Sequence, residues 1–214
     1  MSAVLRNSVI WALFVAANGA AASHAPKPQQ QAKLKITLLV YDYAKVEPHS
    51  LDASLERVRM IFADAGVVVV PLMCSGDHQS EPCRRPPDSL TVILRVVPAP
   101  GFGSRRDIMG YSTGQCITVA YSGVEAVAEE AGIIDFKLLG CVVAHELGHV
   151  LLGPDSHSER GIMKARFTES ELTLMKETPL WFLPAEAAHM RANVLSRERE
   201  AGEPVVPSEV RAKR

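Results

Sequence analysis

The sequence predicts a single α/β domain, because patterns typical of strands and of helices alternate along most of its length. Three short runs rich in β-branched residues, at 67–73, 90–97 and 117–121, are typical of strands. An almost wholly apolar helical pattern follows them, from about residue 134 to residue 152. The length of 214 residues and the hydrophobic content of 47% are sufficient for one substantial core.

A further strand and helix precede these runs. Residues 34–41 alternate and then become apolar, as a strand entering a sheet does. Residues 51–65 carry apolar side chains at helical spacing, and Gly66 follows where helices commonly end in glycine. The order strand, helix, strand therefore opens the domain. The stretch 98–115, rich in glycine, serine and arginine, is predicted as a long loop with room for an edge strand.

The C-terminal half is predicted to be mainly helical. The apolar pattern at 134–152 has one stripe formed by Leu139, Val143, Leu147 and Val150. Two shorter helical patterns follow at about 169–176 and 185–197. The last residues are rich in charge and proline, which is typical of unstructured segments. We therefore expect the folded domain to cover residues 26–198 and a flexible charged tail to cover residues 199–214.

Residues 1–25 have the composition of a secretory signal peptide with its cleavage region. Arg6 precedes the apolar run at 9–17, and small residues follow as far as Ala22, where cleavage fits the small-residue rule. The run is too short to span a bilayer comfortably. An uncleaved anchor or a buried helix are the alternatives. We expect an exported protein, secreted or periplasmic, with no stable membrane association after cleavage.

Cysteine content and net charge agree with this interpretation. The four cysteines are an even number, and Cys74 and Cys83 bracket a short polar loop that a disulfide can close. We expect this pair to be bonded, whereas Cys116 and Cys141 form a second bridge or remain free thiols. The formal net charge of −1 provides no long-range field that would attract nucleic acid. We therefore expect no nucleic-acid partner. We also expect the protein to be a monomer.

The residues from His145 to His149 read His-Glu-Leu-Gly-His and lie within the apolar helical pattern. Side chains four residues apart share one face of a helix, so both imidazoles can bind one zinc ion at about 2.0–2.1 Å. Glu146 lies about 100° further round the helix, where it can hold a zinc-bound water without binding the metal. Its carboxylate can accept the proton of that water as the oxygen attacks a peptide carbonyl. The pattern therefore predicts a zinc site with Glu146 as the catalytic base.

The surroundings of the motif argue against a chance match. Three fixed residues in five do occur by accident in unrelated sequences. Here, however, two imidazoles and a carboxylate lie beside Val142, Val143 and Leu147 in one apolar helix. Burying such a group is costly unless its members are paired or bind a metal. The apolar context therefore favours zinc binding.

The stretch from His145 to Met163 resembles metzincin zinc peptidases, and among them the matrixins most closely. In those enzymes the zinc helix stops at a glycine, a third ligand follows, and a methionine turn lies beneath the metal. The resemblance implies that Gly153 is the helix stop, His157 the third zinc ligand and Met163 the floor of the site. It also implies a zinc-dependent endopeptidase that cleaves peptide or protein substrates. The implied fold has a small twisted mixed sheet, a backing helix, the zinc helix and a smaller, mostly helical C-terminal part.

One extra residue separates this stretch from the usual metzincin spacing. The glycine ordinarily lies three residues after the second histidine and the third ligand three further on, but here both intervals are four. The strict register falls on Asp155, whose carboxylate is an acceptable zinc ligand. His157 is favoured because imidazole is the commoner ligand and Gly153 is displaced in the same direction. A different zinc architecture would take its third ligand from Glu169 or Glu171.

Two other classes of protein stay open at this point. A secreted protein with a structural or inactive zinc site would use four protein ligands, including Asp155, and leave no place for water. A structural or interaction protein would bind no metal at all. Tyr111 and Tyr121 are candidates for stabilising an oxyanion, but packing is the commoner role of tyrosine.

Overall fold

The computed structural model describes residues 34–74, 80–99 and 109–202, which contain one five-stranded sheet and five α-helices. The strands are β1 (Lys35–Asp42), β2 (Val68–Met73), β3 (Thr91–Val97), β4 (Gly110–Thr113) and β5 (Cys116–Ala120). The helices are α1 (Pro48–Asp64), α2 (Tyr121–Ala131), α3 (Asp135–Leu152), α4 (Glu169–Met175) and α5 (Pro184–Gly202). The strand order is β2-β1-β3-β5-β4, and every neighbouring pair is parallel except the antiparallel pair β4–β5. The predicted α/β class with a mixed sheet is confirmed.

Helix α1 backs the sheet and packs on α3. It begins at Pro48, because proline is tolerated in the first turn, and the Glu47 carboxylate accepts a hydrogen bond from the Ser50 N–H at 2.8 Å. This cap starts the helix three residues before the predicted position. The buried face is formed by Leu51, Leu55, Val58, Ile61 and Phe62. A Cβ added at Gly140 of α3 would lie 2.8 Å from the Ser54 carbonyl oxygen, so the two helices approach closely there.

Helix α3 is buried along nearly its whole length. It contacts α1, α2 and α5 as well as strands β4 and β5, so little of its surface reaches solvent. This burial explains why the sequence pattern is apolar on almost every face rather than on one stripe. The helix ends at Leu152, and the next residue is Gly153, the predicted glycine stop. The His-Glu-Leu-Gly-His motif is thus carried by a helix at the centre of the core.

The region before α3 differs from the prediction in one helix. Tyr121 was predicted as the end of a strand, but it is the first residue of α2. That prediction was wrong because Tyr121 extends a β-branched run. The missed helix carried its own signals: Val124 and Ala128 are buried four residues apart, and Gly132 ends the helix at φ +61°. The edge strand predicted within 98–115 is present as β4.

The predicted disulfide is present in the structure. Cys74 and Cys83 form a disulfide, whereas Cys116 and Cys141 are free thiols. The second bridge that was left open is therefore absent. Burial raises the pKa of the Cys141 thiol, so this side chain behaves as a small apolar core residue.

After Gly153 the described residues contain helices α4 and α5. Helix α4 begins with a capping box, in which Thr168 and Glu171 each bond to the other's backbone N–H. Helix α5 continues to Gly202, so its last residues fall within the stretch predicted as a tail. Residues 203–214 and the predicted signal peptide lie outside the described residues, and the domain boundaries stay predictions. In the part of the chain that is described, no helix is sufficiently long and apolar to cross a membrane.

Candidate metal centre

Three imidazole rings converge at the surface of α3. His145 and His149 come from α3, and His157 comes from the turn that follows it. The Nε2 atom of His149 lies 3.0 Å from Nε2 of His145 and 3.1 Å from Nε2 of His157. No other group of three His, Cys, Asp or Glu side chains within the described ranges is arranged to hold a metal ion. The structure thus brings together all three histidines that the sequence nominated.

In His145 and His149 the Nδ1 atom, which faces away from the converging Nε2 atoms, makes a hydrogen bond that fixes the tautomer of the ring. Nδ1 of His145 lies 2.8 Å from the Ile162 carbonyl oxygen and must donate to it. Nδ1 of His149 lies 3.2 Å from the Ser156 hydroxyl, which donates its own proton to the Gly153 carbonyl at 2.7 Å. Both rings therefore carry their proton on Nδ1 and direct an Nε2 lone pair towards the other ring. Two such acceptors 3.0 Å apart attract a cation between them, and neutral imidazole nitrogen is a preferred ligand of zinc.

The surroundings keep these rings neutral. Burial lowers the pKa of His145 to about 4, although the bond to the Ile162 carbonyl acts in the opposite direction. Burial also lowers the pKa of His149, and the neighbouring His157 adds to the effect. An imidazole must be unprotonated to bind a metal. At neutral pH these two rings are therefore in the metal-binding form.

The turn after α3 carries His157 into the group. Gly153 adopts φ +106° and ψ 165°, a conformation that is essentially restricted to glycine, and its N–H donates to the His149 carbonyl at 2.9 Å. Asp155 follows at φ +61°. These two positive φ angles turn the chain back across the end of α3 and accommodate the extra residue. Asp155 lines the adjoining cleft, but its carboxylate is not among the converging ligand atoms.

The glutamates considered for a different zinc architecture are also outside the group. Both carboxylate oxygens of Glu171 lie 2.8 Å from Nζ of Lys164, and this hydrogen bond is the main reason that the pKa of Glu171 falls to about 2. Glu169 is exposed in the first turn of α4. Glu171 therefore anchors the segment that contains Lys164 and does not join the imidazoles.

Met163 packs directly beneath the zinc helix. It is fully buried, and a Cβ added at Gly148 would lie 2.4 Å from its Sδ atom. The Ser158 N–H donates to the Met163 carbonyl at 3.0 Å and closes the turn that presents the methionine. Gly148 is thus small because the methionine occupies the space beside it, one residue before the second histidine.

Glu146 lies against the edge strand of the sheet. Its side chain is buried, and burial raises its pKa to about 7, partly offset by a hydrogen bond from the Ser112 hydroxyl. A Cβ at Gly110 would lie 3.0 Å from Glu146 Cγ and 3.1 Å from its Oε1, so a larger residue there would crowd the carboxylate. Strand β4 thereby positions this side chain. No local sequence pattern indicated the contacts that Gly110 and Ser112 make with Glu146; only the edge strand in which they lie was predicted.

The imidazoles and Glu146 lie in a cleft of about 680 Å³. The cleft is lined by residues from β4, from α2, from α4 and from the turn that follows α3. Phe167 contacts the His145 ring edge to face, with the ring centroids 5.9 Å apart. Tyr111 lines the cleft and is 43% exposed, whereas Tyr121 donates a hydrogen bond to Asp135 and is not part of the cleft wall. Of the two tyrosines considered for an oxyanion, only Tyr111 is in position to meet a ligand.

Comparison with known proteins identifies the fold. No family model matches the chain, and no curated protein matches it. A zinc-dependent peptidase from Methanocorpusculum labreanum has a similar structure, with 14% identity and a TM-score of 0.50 over 72% of this chain and 99% of that chain. Archaemetzincin from Methanopyrus kandleri is aligned at 14% identity and a TM-score of 0.48, over 76% of this chain and 97% of that chain. The first likeness shows that the chain shares the fold of that peptidase, which agrees with the predicted fold class.

Proposed function

We propose that this protein is a zinc-dependent endopeptidase of the metzincin type. The observation that carries the proposal is the convergence of three imidazole Nε2 atoms beside a buried carboxylate in an open cleft. His145, His149 and His157 would hold the zinc ion. Three protein ligands are the number found in catalytic zinc sites, which keep one position for water or substrate. A structural site would need a fourth ligand, and Asp155 is not placed among the three imidazoles.

In the proposed reaction the metal ion and the protein side chains have different roles. Zinc bound at such a site polarises a substrate carbonyl and lowers the pKa of a water molecule. Glu146 accepts the proton of the attacking water and returns it to the leaving amine. It lines the same cleft as the imidazoles and accepts a hydrogen bond from Ser112, a position that suits both transfers. Met163 supports the ligand helix from below.

The cleft favours an extended peptide as substrate. Strand β4 lies at the edge of the sheet, and its residues 110–112 line the cleft. An edge strand can bind a peptide through main-chain hydrogen bonds. Such binding would draw the peptide bond past Glu146 and the imidazoles. We therefore propose peptides or unfolded proteins as substrates, and neither nucleic acid nor a second protomer is required.

Metal removal tests this function. The purified protein should hydrolyse unfolded casein, lose that activity on treatment with 1,10-phenanthroline, and regain it when stoichiometric zinc is restored. The physical reason is that His145, His149 and His157 provide the bound zinc, without which Glu146 has no activated water to deprotonate. The measurement is the rate of peptide release together with the zinc content. Undiminished hydrolysis by protein free of metal would contradict the proposal, and a protein that binds zinc without hydrolysing any peptide would favour the structural alternative.

We further propose that the protein acts outside the cytoplasm. The Cys74–Cys83 disulfide supports this, because such bonds persist mainly in oxidising compartments. The composition of residues 1–25 supports it as well. Cell fractionation of the host followed by N-terminal sequencing should find the protein in an extracytoplasmic fraction, with Ser23 as its first residue. A cytoplasmic protein that still begins at Met1 would refute export.

A further inference from the structure

The C-terminal end of α3 exposes carbonyl groups that the helix itself cannot satisfy. The last four carbonyls of an α-helix have no donor within the helix. In α3 they belong to residues 149–152, which form its final turn. The Gly153 N–H serves the carbonyl of His149 at 2.9 Å. The next two carbonyls receive their donors from a different helix.

Two side chains of α5 cap these carbonyls. Nδ2 of Asn193 donates to the Leu151 carbonyl at 2.8 Å, and Nη2 of Arg197 donates to the Val150 carbonyl at 2.5 Å. The two donors are four residues apart and therefore share one face of α5. The guanidinium also places a positive charge at the negative end of the α3 dipole.

Helix α5 is itself held firmly against the domain. Ala187, Met190 and Val194 are its buried residues, and they lie on one face. Arg197 in addition joins the chain before β3: its Nη1 donates to the Ser89 carbonyl at 3.4 Å, and the Ser89 hydroxyl donates to the Arg197 carbonyl at 3.1 Å. The caps are therefore provided by a fixed element.

We propose that Asn193 and Arg197 are positioning residues for the metal centre. His149 belongs to the final turn of α3, and the turn that carries His157 begins at the same end. Helix ends fray readily when their carbonyls lack donors. By holding the final turn, the two caps keep two of the three imidazoles at ligand distance. This inference rests on the proposed function only in requiring that the imidazoles bind zinc.

The test compares caps on α3 with a similar cap elsewhere. Asn193→Leu and Arg197→Met should each lower zinc affinity by up to about tenfold, the lower end of the range for residues bonded directly to metal ligands, because these two act through the backbone of the final turn. Arg197→Lys should recover part of the loss, because it restores a charged donor. Arg191→Met is the matched control: Nη1 of Arg191 donates to the Ala65 carbonyl at 2.8 Å, at the end of α1, which carries no ligand. The control should lower the melting temperature and leave zinc affinity unchanged.

Zinc affinity is measured by competition with a chelator, and the ligand geometry by the visible spectrum of the cobalt-substituted full chain. A changed cobalt spectrum in the α3-cap variants, but not in Arg191→Met, is the expected signature. The inference is overturned if the cap variants bind zinc as the control does and differ from the parent only in melting temperature. Arg197→Lys is the mild variant that decides the matter if the larger changes prevent folding. If the parent chain binds no zinc, the proposed function fails together with this inference. If the parent binds zinc and the cap variants bind it equally well, only this inference fails.

Discussion

Replacing Glu146 with glutamine should leave zinc bound and reduce kcat/KM for peptide hydrolysis by about two to four orders of magnitude, the usual contribution of a general base. The amide has nearly the shape of the carboxylate and can still accept the hydrogen bond from Ser112, but it cannot accept a proton from water. Zinc should be retained because Glu146 is not among the converging ligand atoms. The measurements are initial rates on a fluorogenic peptide and zinc content by mass spectrometry.

The matched control for this variant is Glu130→Gln, which removes the same charge from an exposed position on α2. It should hydrolyse the peptide as the parent does. If Glu146→Gln cleaved as fast as Glu130→Gln at equal zinc content, the carboxylate would not be the base. Loss of zinc from Glu146→Gln alone would instead show that Glu146 is a metal ligand.

The metal-free forms of the parent and of Glu146→Gln provide an independent check on burial. Burial raises the pKa of Glu146 from 4.5 to about 7, so the folded metal-free protein holds this proton more tightly than the unfolded chain does. The resulting stabilisation is complete below pH 4.5 and is lost as the pH rises through about 7. Relative to Glu146→Gln, the metal-free parent should therefore become less stable over that interval. If the difference in melting temperature between the two proteins stayed constant with pH, the carboxylate would be exposed to water instead.

Helix α3, with its His-Glu-Leu-Gly-His motif, is the part of the molecule that local sequence determines most completely. The convergence of His145 and His149 can be predicted from spacing alone, because the period of a helix fixes which side chains share a face. The disulfide between Cys74 and Cys83 is predictable for a similar reason, since only eight residues, 75–82, lie between the two cysteines in the sequence. These features depend on neighbours in sequence.

Other parts of the site depend on packing between distant segments. Ser112 and Gly110 reach Glu146 only because β4 pairs with β5 in one register and α3 packs beside it. Ser156 orients His149 only because Gly153 adopts φ +106°. No local pattern specifies such contacts, since they arise from backbone angles and from long-range packing. This is why the residues that contact the imidazoles and Glu146 were harder to predict than the imidazoles and Glu146 themselves.

Helix α2 shows a different limit of sequence reasoning. Its first residue, Tyr121, continues a β-branched run, so strand propensity dominated the prediction. The buried pair Val124 and Ala128 has helical spacing, but a pattern of this length is short. Helix α2 also contacts α3, and that long-range contact is not visible in the sequence.

The identity of the third ligand leads to the other large expected effect. His157→Ala should weaken zinc binding by more than about a hundredfold, because it removes a ligand itself, whereas residues behind ligands already contribute about ten- to a hundredfold. Asp155→Asn should leave zinc affinity within about threefold of the parent. The Asp155 carboxylate is exposed and is not among the converging ligand atoms, so its charge contributes little. Asparagine tolerates the positive φ of Asp155, so the turn is preserved. Competition titration with a chelator measures both affinities.

The two variants together discriminate between the possible coordination shells. The side chain of His157 is exposed, so its removal should not change the melting temperature of the metal-free protein, and a loss of affinity can be assigned to the metal bond. If Asp155→Asn released zinc and His157→Ala retained it, the strict metzincin register would be correct and the displaced turn would have no role in binding. If both variants released zinc, four protein ligands would surround the ion. That closed shell belongs to a structural site and leaves no position for the water that Glu146 is proposed to deprotonate.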